Sequence, residues 1–501
     1  MRTTLLLDIA ADAVGDRLAV GTTAHGIDYA TLRDRAKAAA SWIMAQDNVG
    51  QLAFVGLNGD AVPLMLFAAG YAGVPFVPIN YRLPDADLQK LVARTAPSVL
   101  VVDDDMMARV GEVAGVTMVP RSRFENEIAT GHAPDDFVEG DNDIAVLLFT
   151  SGTTGDPKAA ILRHENLTSY VMGTVEFLGS GEDEAAMVSV PPYHIAGISA
   201  ILSSAYGGRR IVYLPQFTPE SWVATAAGEG ITHAMVVPTM LDRILDVMDM
   251  TGEKLSAFKA MSYGGGRMPE PVIARALQAL PEVNFVNAYG LTETSSTIAL
   301  LGAEDHRIAI ASDDPAVRRR LSSVGQPLPG LELEIRGEDG KTVLPAGEAG
   351  EIYVRGPQVS GEYLGKKVID DEGWFATNDA GWLDADGYLY VDGRLDDVIV
   401  RGGENISPGE IEDVLRQHEK VADVAVLGLP DNQWGEKVAA VVVPREGGAE
   451  AGALADFVRA KLRSTKTPEA WFFRDELPYN DTGKLLRRVL KAELADAEQN
   501  A

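Results

Sequence analysis

The 501-residue sequence contains no cysteine. That absence removes disulfides, thiolate metal sites, iron–sulfur clusters and a cysteine nucleophile together. Any thioester chemistry must therefore take its sulfur from a partner. Positive charge is scarce as well: 44 Lys and Arg face 73 Asp and Glu, a formal charge of −29. That sign is wrong for gripping nucleic acid, or an anionic membrane surface, through a broad basic face. A local basic pocket for a phosphate ligand is still compatible with it. Long hydrophobic runs are missing too. Leu5-Leu6-Leu7 stops at Asp8, too short for the apolar segment of a signal peptide. A long uncharged stretch, 61–81, is interrupted by Pro63, Gly70, Gly73, Pro75 and Pro78. It predicts a buried helix over 64–72, a turn and an apolar strand, not a membrane span. A soluble, cytoplasmic protein is expected.

What remains is ordinary globular composition, 46% hydrophobic and 23% charged, over a length that suits about three domains or subdomains at roughly 150 residues each. Apolar runs at 52–56, 98–102, 144–149, 187–190, 210–213, 233–237 and 285–287 read as strands. Helical spacing of apolar residues at 29–44, 219–229 and 270–279 alternates with them, the pattern of α/β layers. From Val324 the style changes to short strands and Gly-rich turns, at 333–336, 350–354 and 387–391, which predicts a β-rich subdomain. The tail reads as a compact α+β unit. Ser407-Pro408-Gly409-Glu410 carries a capping-box pattern, strands follow at 421–427 and 437–443, and Leu454, Phe457, Val458 and Leu462 mark a further helix.

The strongest chemical signal is Phe149-Thr150-Ser151-Gly152-Thr153-Thr154-Gly155-Asp156-Pro157-Lys158, directly after an apolar strand. Its glycines permit tight turns, its hydroxyls and amides can donate to phosphate oxygens, and Lys158 adds a point charge. It is no Walker loop, because no Gly-Lys-Ser/Thr ends it. Zinc-type HExxH spacing, a GxGxxG fingerprint and a GxSxG serine elbow are all absent. In Tyr263-Gly264-Gly265-Gly266 the missing side chains leave room for a flat base or acyl group against backbone; a tight turn after a strand is the plainer alternative.

The 149–158 stretch resembles the phosphate-binding signature of the adenylate-forming enzymes, which include acyl-CoA synthetases, firefly luciferase and peptide-synthetase adenylation domains. Further motifs in the family's order extend the resemblance over essentially the whole chain. Tyr289-Gly290-Leu291-Thr292-Glu293 looks like the aromatic-Gly-x-Thr-Glu motif. Phe375-Ala376-Thr377-Asn378-Asp379 and Gly393-Arg394-Leu395-Asp396-Asp397 resemble the ribose-binding and hinge motifs. Pro478-Tyr479-Asn480-Asp481-Thr482-Gly483-Lys484 resembles the C-terminal lysine motif, and the overall pattern lies nearest to fatty-acid and aryl acyl-CoA synthetases.

The resemblance implies an α/β fold: a large N-terminal domain (1–395) of layered α/β subdomains plus a β-rich subdomain, and a small mobile α+β C-terminal domain (396–501). It implies ATP, Mg²⁺ and CoA, and conversion of a carboxylic acid to acyl-AMP with release of pyrophosphate, then to acyl-CoA. Thr150, Ser151, Gly152, Thr153, Thr154, Gly155 and Lys158 would hold phosphates, with Thr292 donating to one. Glu293 would hold Mg²⁺, a hard ion suited to carboxylate and phosphate oxygens. Asp379 would hold the ribose, with Arg394 a second ribose or phosphate contact, while Tyr289 and Gly290 with Gly264–Gly266 would hold the base. His194, Ile195, Val237, Thr239, Tyr263 and Ala288 would line the acyl pocket, although a lone histidine is as readily structural. Lys484 would act in adenylation, Asp396 would be the hinge, and Gly402 and Gly403 would line the pantetheine channel. An acyl-AMP ligase loading a carrier protein is the alternative acceptor chemistry, and a non-catalytic homologue is a third reading. Stretch 198–202 lacks the aspartate that would pair with a substrate amine, which disfavours an amino acid. Nucleic acid is excluded as a partner, and a homodimer is only the base-rate expectation. Two departures stand out: Ala159 follows the loop lysine where most members have glycine, and Asn378 replaces the glycine before Asp379.

Overall fold

The computed structural model describes residues 1–129, 131, 134, 137–150, 157–402, 404–431, 433–479 and 485–499. The apolar strands of the first 330 residues assemble into two large sheets. In one, Phe76–Pro78, Gln51–Val55, Ser98–Val102 and Val116–Pro120 run parallel, with Ile144–Thr150 parallel beside Phe76–Pro78 and Lys158–Arg163 antiparallel beyond it. In the other, Asn284–Leu291, Ala260–Gly264, His233–Val236, Ala185–Val188 and Arg210–Tyr213 lie parallel side by side. Strands covered on both faces need apolar residues at successive positions, which is why these segments read as continuous hydrophobic runs.

The helix Ala61–Ala72 has all 12 residues buried. It shares one core with Thr4–Val14, Tyr29–Met44 and Ile195–Gly207, so no side of it can carry charge. The uncharged stretch is thus interior, and no helix among the described residues is long and apolar enough to cross a membrane.

After residue 330 a four-stranded antiparallel sheet forms from Glu332–Arg336, Gly350–Arg355, Phe375–Leu383 and Leu389–Arg394. The expected strand at 387–391 starts later, because Gly387 sits at φ +80° in the preceding turn. The small C-terminal domain is built on the long hairpin Val421–Asp431 and Gly435–Pro444. Val424 and Val426 pack against helices Pro408–Arg416 and Ala451–Arg459; the alternate Ala425 and Leu427 pack against Leu490 and Leu494. The period of two along the strand puts successive residues into different cores.

One local expectation changed. Ser407 stands at the helix start, but its hydroxyl makes no cap bond and donates to the Asp392 carbonyl at 3.0 Å. Glu410 is drawn instead into an ion pair with Lys466. The aromatic strand Ala470–Phe473 runs along the hairpin's edge and is half-buried, with Phe473 44% exposed.

Candidate active site

Thr150 ends one strand and Lys158 begins the next, and the two are cross-strand partners. The intervening phosphate-loop residues Ser151, Gly152, Thr153, Thr154 and Gly155 lie outside the described residues. Ala159 is an extended strand residue, 3% exposed and paired with Phe149, without a left-handed φ. Its methyl therefore costs nothing. Asn378 does adopt φ +56°, the left-handed turn that asparagine tolerates better than most residues.

On the far side of Lys158–Arg163 the short strand Glu362–Tyr363 pairs through Tyr363 and Ala160. Arg163 grips Glu362 through two bonds of 3.0 Å. This places the Tyr363 ring 5.7 Å from the Lys158 ammonium and its hydroxyl 2.5 Å from Glu293 Oε1, to which it donates. Glu293 is 7% exposed. Its carbonyl accepts from the amides of Ser360 at 2.8 Å and Gly361 at 3.2 Å, so backbone and side chain are both held. Tyr363, a neutral donor, engages one carboxylate oxygen, and among the described residues nothing donates to the other. Thr292 opens the same 3₁₀ turn, Thr292–Thr294.

Beside Glu293, Tyr289 donates to Asp379 Oδ2 at 2.6 Å and Arg394 donates to Asp379 Oδ1 at 2.9 Å. Asp379 and Arg394 are directly opposed across an antiparallel strand pair, which fixes their approach. Burial, then the Asp379 charge, pushes the Tyr289 phenol far above its ordinary pKa, so it stays a donor. The Arg394 guanidinium also feels the charge of Glu293. Lys158, Tyr363, Glu293, Arg394, Asp379 and Tyr289 thus form one cluster. Gly290 is required by the strand itself: a Cβ there would collide with the Ser296 carbonyl. Gly264 likewise abuts the Ala288 carbonyl. Backbone packing alone already requires these two positions to lack side chains.

The expected acyl-pocket residues fall along one sheet edge. Val188, Val236 and Gly264 end adjacent parallel strands. Beyond those ends come His194, which precedes the helix Ile195–Gly207, and Val237, which precedes Pro238–Thr251. Gly265 follows at φ +75°, with Gly266 after it. Ala288 is Gly264's partner on the next strand, and Thr239 is exposed. Carboxyl ends of parallel strands are where α/β sheets hold ligands. Tyr263 points the other way: it is fully buried and its hydroxyl lies 2.7 Å from His306 Nε2.

Asp396 is exposed in the 3₁₀ turn Leu395–Asp397, which links the four-stranded sheet to the C-terminal strands. Gly402 adopts φ +58° and its amide donates to the Trp434 carbonyl at 2.8 Å. Gly403 and Lys484 lie outside the described residues. Tyr363 is the member of the cluster that the sequence did not reveal. A single tyrosine in a two-residue strand, 70 positions past Glu293, carries no spacing that could announce it.

Comparison with known proteins agrees with this architecture. Residues 7–364 match the AMP-binding enzyme family, and 410–484 match the AMP-binding enzyme C-terminal domain. The chain is 33% identical over 446 residues to a feruloyl-CoA synthase of Amycolatopsis sp, covering 87% of each protein. It is 32% identical over 453 residues to an indoleacetate–CoA ligase of Aromatoleum aromaticum, covering 87% of this chain and 86% of that one. It superposes on o-succinylbenzoate CoA synthetase of Bacillus subtilis, in complex with its acyl-adenylate intermediate, with a TM-score of 0.84, 28% identity and 98% coverage of both chains. The chain belongs to the AMP-binding enzyme family. Within it, the protein is an AMP-forming acid–thiol ligase, which makes an acyl adenylate from ATP and a carboxylic acid and passes the acyl group to CoA.

Proposed function

We propose that the acid is an aryl or arylalkyl carboxylic acid and that the cluster around Glu293 and Asp379 carries out its adenylation. The relatives' named acids (ferulate, indoleacetate, succinylbenzoate) all carry an aromatic ring, which favours this class over a fatty acid. The observation that carries the site assignment is the clamped Glu293, held by Tyr363 and two backbone amides beside Lys158.

A carboxylate and a triphosphate repel one another, so their reaction needs cations and oriented donors where charge gathers. Lys158 and the 150–155 loop bind the phosphates. Asp379, oriented by Tyr289 and Arg394, binds the ribose hydroxyls. No group of three or more metal-ligating side chains occurs among the described residues, which fits Mg²⁺ bound through one carboxylate, phosphates and water better than a protein cage. Glu293, with one oxygen spoken for, is the residue that would hold it. When bound, Mg²⁺ would neutralise charge on the pyrophosphate leaving group.

In the first half-reaction a carboxylate oxygen attacks the α-phosphorus and pyrophosphate departs. Lys484 neutralises charge between the two reactants. The C-terminal domain, 396–501, then turns about Asp396 and brings Gly402 and Gly403 to the CoA channel. In the second half-reaction the CoA sulfur, losing its proton, attacks the acyl carbonyl and AMP leaves. His194, Ile195, Val237, Thr239 and Ala288 line the acyl pocket from the sheet edge; Tyr263 supports the floor from the core. The test is a panel of cinnamic, arylacetic, benzoic and straight-chain acids assayed for pyrophosphate release with and without CoA. Preference for straight chains would overturn the substrate class, and pyrophosphate release without any CoA thioester would overturn the acceptor.

A further inference from the structure

Two consecutive residues just past Glu293 hold backbone conformations that side chains other than glycine rarely adopt. Ser295 has φ +56° and Ser296 has φ +109°. The strands Asn284–Leu291 and Ser296–Leu301 pair antiparallel with Leu291 opposite Ser296, so the chain must reverse within Thr292 to Ser295. Ser295 is fully buried in that reversal, and its hydroxyl has no partner among the described residues. A serine in the left-handed region is strained by its own Cβ. Such strain persists only where the surroundings over-determine it.

The reversal is held from outside its own hairpin. Gln358 is 5% exposed, and its amide nitrogen donates to the Thr294 carbonyl at 3.0 Å and to the Thr297 carbonyl at 2.7 Å. Those two bonds use both amide hydrogens and bracket the two strained residues. From the same segment come the Ser360 and Gly361 amides that clamp the Glu293 carbonyl. The Ser360 hydroxyl donates to the Ile161 carbonyl, and the Leu364 amide donates to the Ala159 carbonyl at 2.9 Å. Segment 358–364 thus straps the Glu293 turn to the strand that begins at Lys158. The strap has anchors besides Gln358: Val359 packs with Ile298, Val354 and Phe375, and Arg163 grips Glu362. Deleting the glutamine's donors therefore leaves the strap in place and frees only the turn.

We propose that Gln358 is a positioning residue for the metal: by bracketing Ser295 and Ser296 it holds the strained turn in the shape that presents Glu293 to Mg²⁺. The proposal rests on the reading that Glu293 holds that ion. Gln358→Met keeps the length of the side chain but removes both donors, so the turn can leave the left-handed region and the carboxylate loses its fixed approach. Losing an outer partner of a metal ligand typically weakens metal binding by about 10- to 100-fold, and this variant should fall in that span. Adding Ser295→Gly should recover most of the loss, because glycine takes φ +56° without strain and the turn no longer needs the clasp.

The experiment titrates Mn²⁺, a paramagnetic substitute for Mg²⁺, into the full-length protein saturated with a non-hydrolysable ATP analogue. Bound ion is read from the enhancement of water-proton relaxation above that of Mn²⁺ and analogue alone, and folding from a thermal melt. The proteins compared are wild type, Gln358→Met, Gln358→Asn, Gln358→Met/Ser295→Gly and, as reference, Glu293→Gln. Gln358→Asn carries the amide on a shorter stem, so it should show a milder loss; it replaces Gln358→Met if that variant melts below the assay temperature. Weakened ion binding in a folded variant, relieved by Ser295→Gly, is the expected result. Unchanged ion binding in the folded Gln358 variants would overturn the proposal, as would a loss that Ser295→Gly does not relieve, since Gln358 would then only satisfy two buried carbonyls. If Glu293→Gln binds the ion as wild type does, the reading of Glu293 fails instead, and that reference keeps the two failures apart.

Discussion

The protein builds the same trio twice. Around Asp379, a tyrosine (Tyr289) and an arginine (Arg394) converge on one carboxylate; around Asp423, Tyr479 and Arg416 do so again. The two differ in what else the arginine side meets. Arg416 is tied to the Val424 carbonyl and to Glu412, whose own oxygen takes the Val426 amide. The Arg416 side chain is only 17% exposed, and Glu412 keeps its carboxyl below the usual range against burial because Arg487 and Arg416 stand beside it. In the first trio Arg394 also donates to the Thr377 carbonyl at 3.1 Å, but it stays about one-third exposed and borders Glu293 and Tyr363, whose ring lies beside Lys158. A carboxylate–arginine set whose donors and acceptors are spent on backbone holds a fold together. One with capacity left over, at the carboxyl edge of parallel strands, can hold a ligand.

The contrast breaks first at Glu412. Removing one partner of a buried pair leaves the others uncompensated, which typically costs about 3–5 kcal/mol. Glu412→Ala should therefore lower stability by that order in a denaturant melt, with both half-reactions declining in proportion to folded protein. A variant that melts normally but has lost adenylation would make the second trio a site.

Glu293→Gln should do the opposite. It keeps shape and the Tyr363 contact but removes the charge proposed to hold Mg²⁺, so adenylation should fall by roughly 10²–10³, the cost of losing one preorganised electrostatic group. The melting temperature should stay within a degree or two, and near-normal pyrophosphate release would place the metal elsewhere. Asp379→Ala comes next. Ribose contacts persist from ground state to transition state, so the loss should appear mainly in KM for ATP, by roughly tenfold or more for charge-assisted bonds. A change confined to kcat would remove Asp379 from the ribose.

Much of this was legible in the chain. Strands 98–102 and 210–213 and helices 29–44 and 270–279 have the expected bounds, because covered strands and one-sided helices leave clear periods. The helix Ile195–Gly207 was not seen as one: it is apolar on most sides, buried among other helices, and so has no stripe to detect. The candidate-site motifs were readable because each is contiguous. Tyr363 was not, since it matters only through a partner 70 positions away in sequence, brought near by sheet pairing. Tyr263 shows the converse: its neighbours in the motif face the strand ends, while the pleat turns its own side chain toward His306.

The smallest and sharpest effect concerns that unheralded tyrosine. Tyr363 touches Glu293 through a neutral hydroxyl, and burial beside the Glu293 charge pushes its pKa well above the ordinary phenol value. It therefore remains protonated and donates throughout the working pH range. Tyr363→Phe deletes that one donor and leaves the ring under the Lys158 ammonium, so the phosphate side is undisturbed. The Glu293 carboxylate then loses an orienting bond but keeps its charge and both backbone clamps. Losing an outer partner of a metal-holding carboxylate typically costs about 10- to 100-fold in metal affinity or activity; with the clamps intact the low end is expected. The signature is a rise in the Mg²⁺ concentration needed for half-maximal pyrophosphate release, repaired by excess Mg²⁺, with KM for the acid unchanged. A loss that Mg²⁺ does not repair would mean Tyr363 orients the substrate rather than the carboxylate.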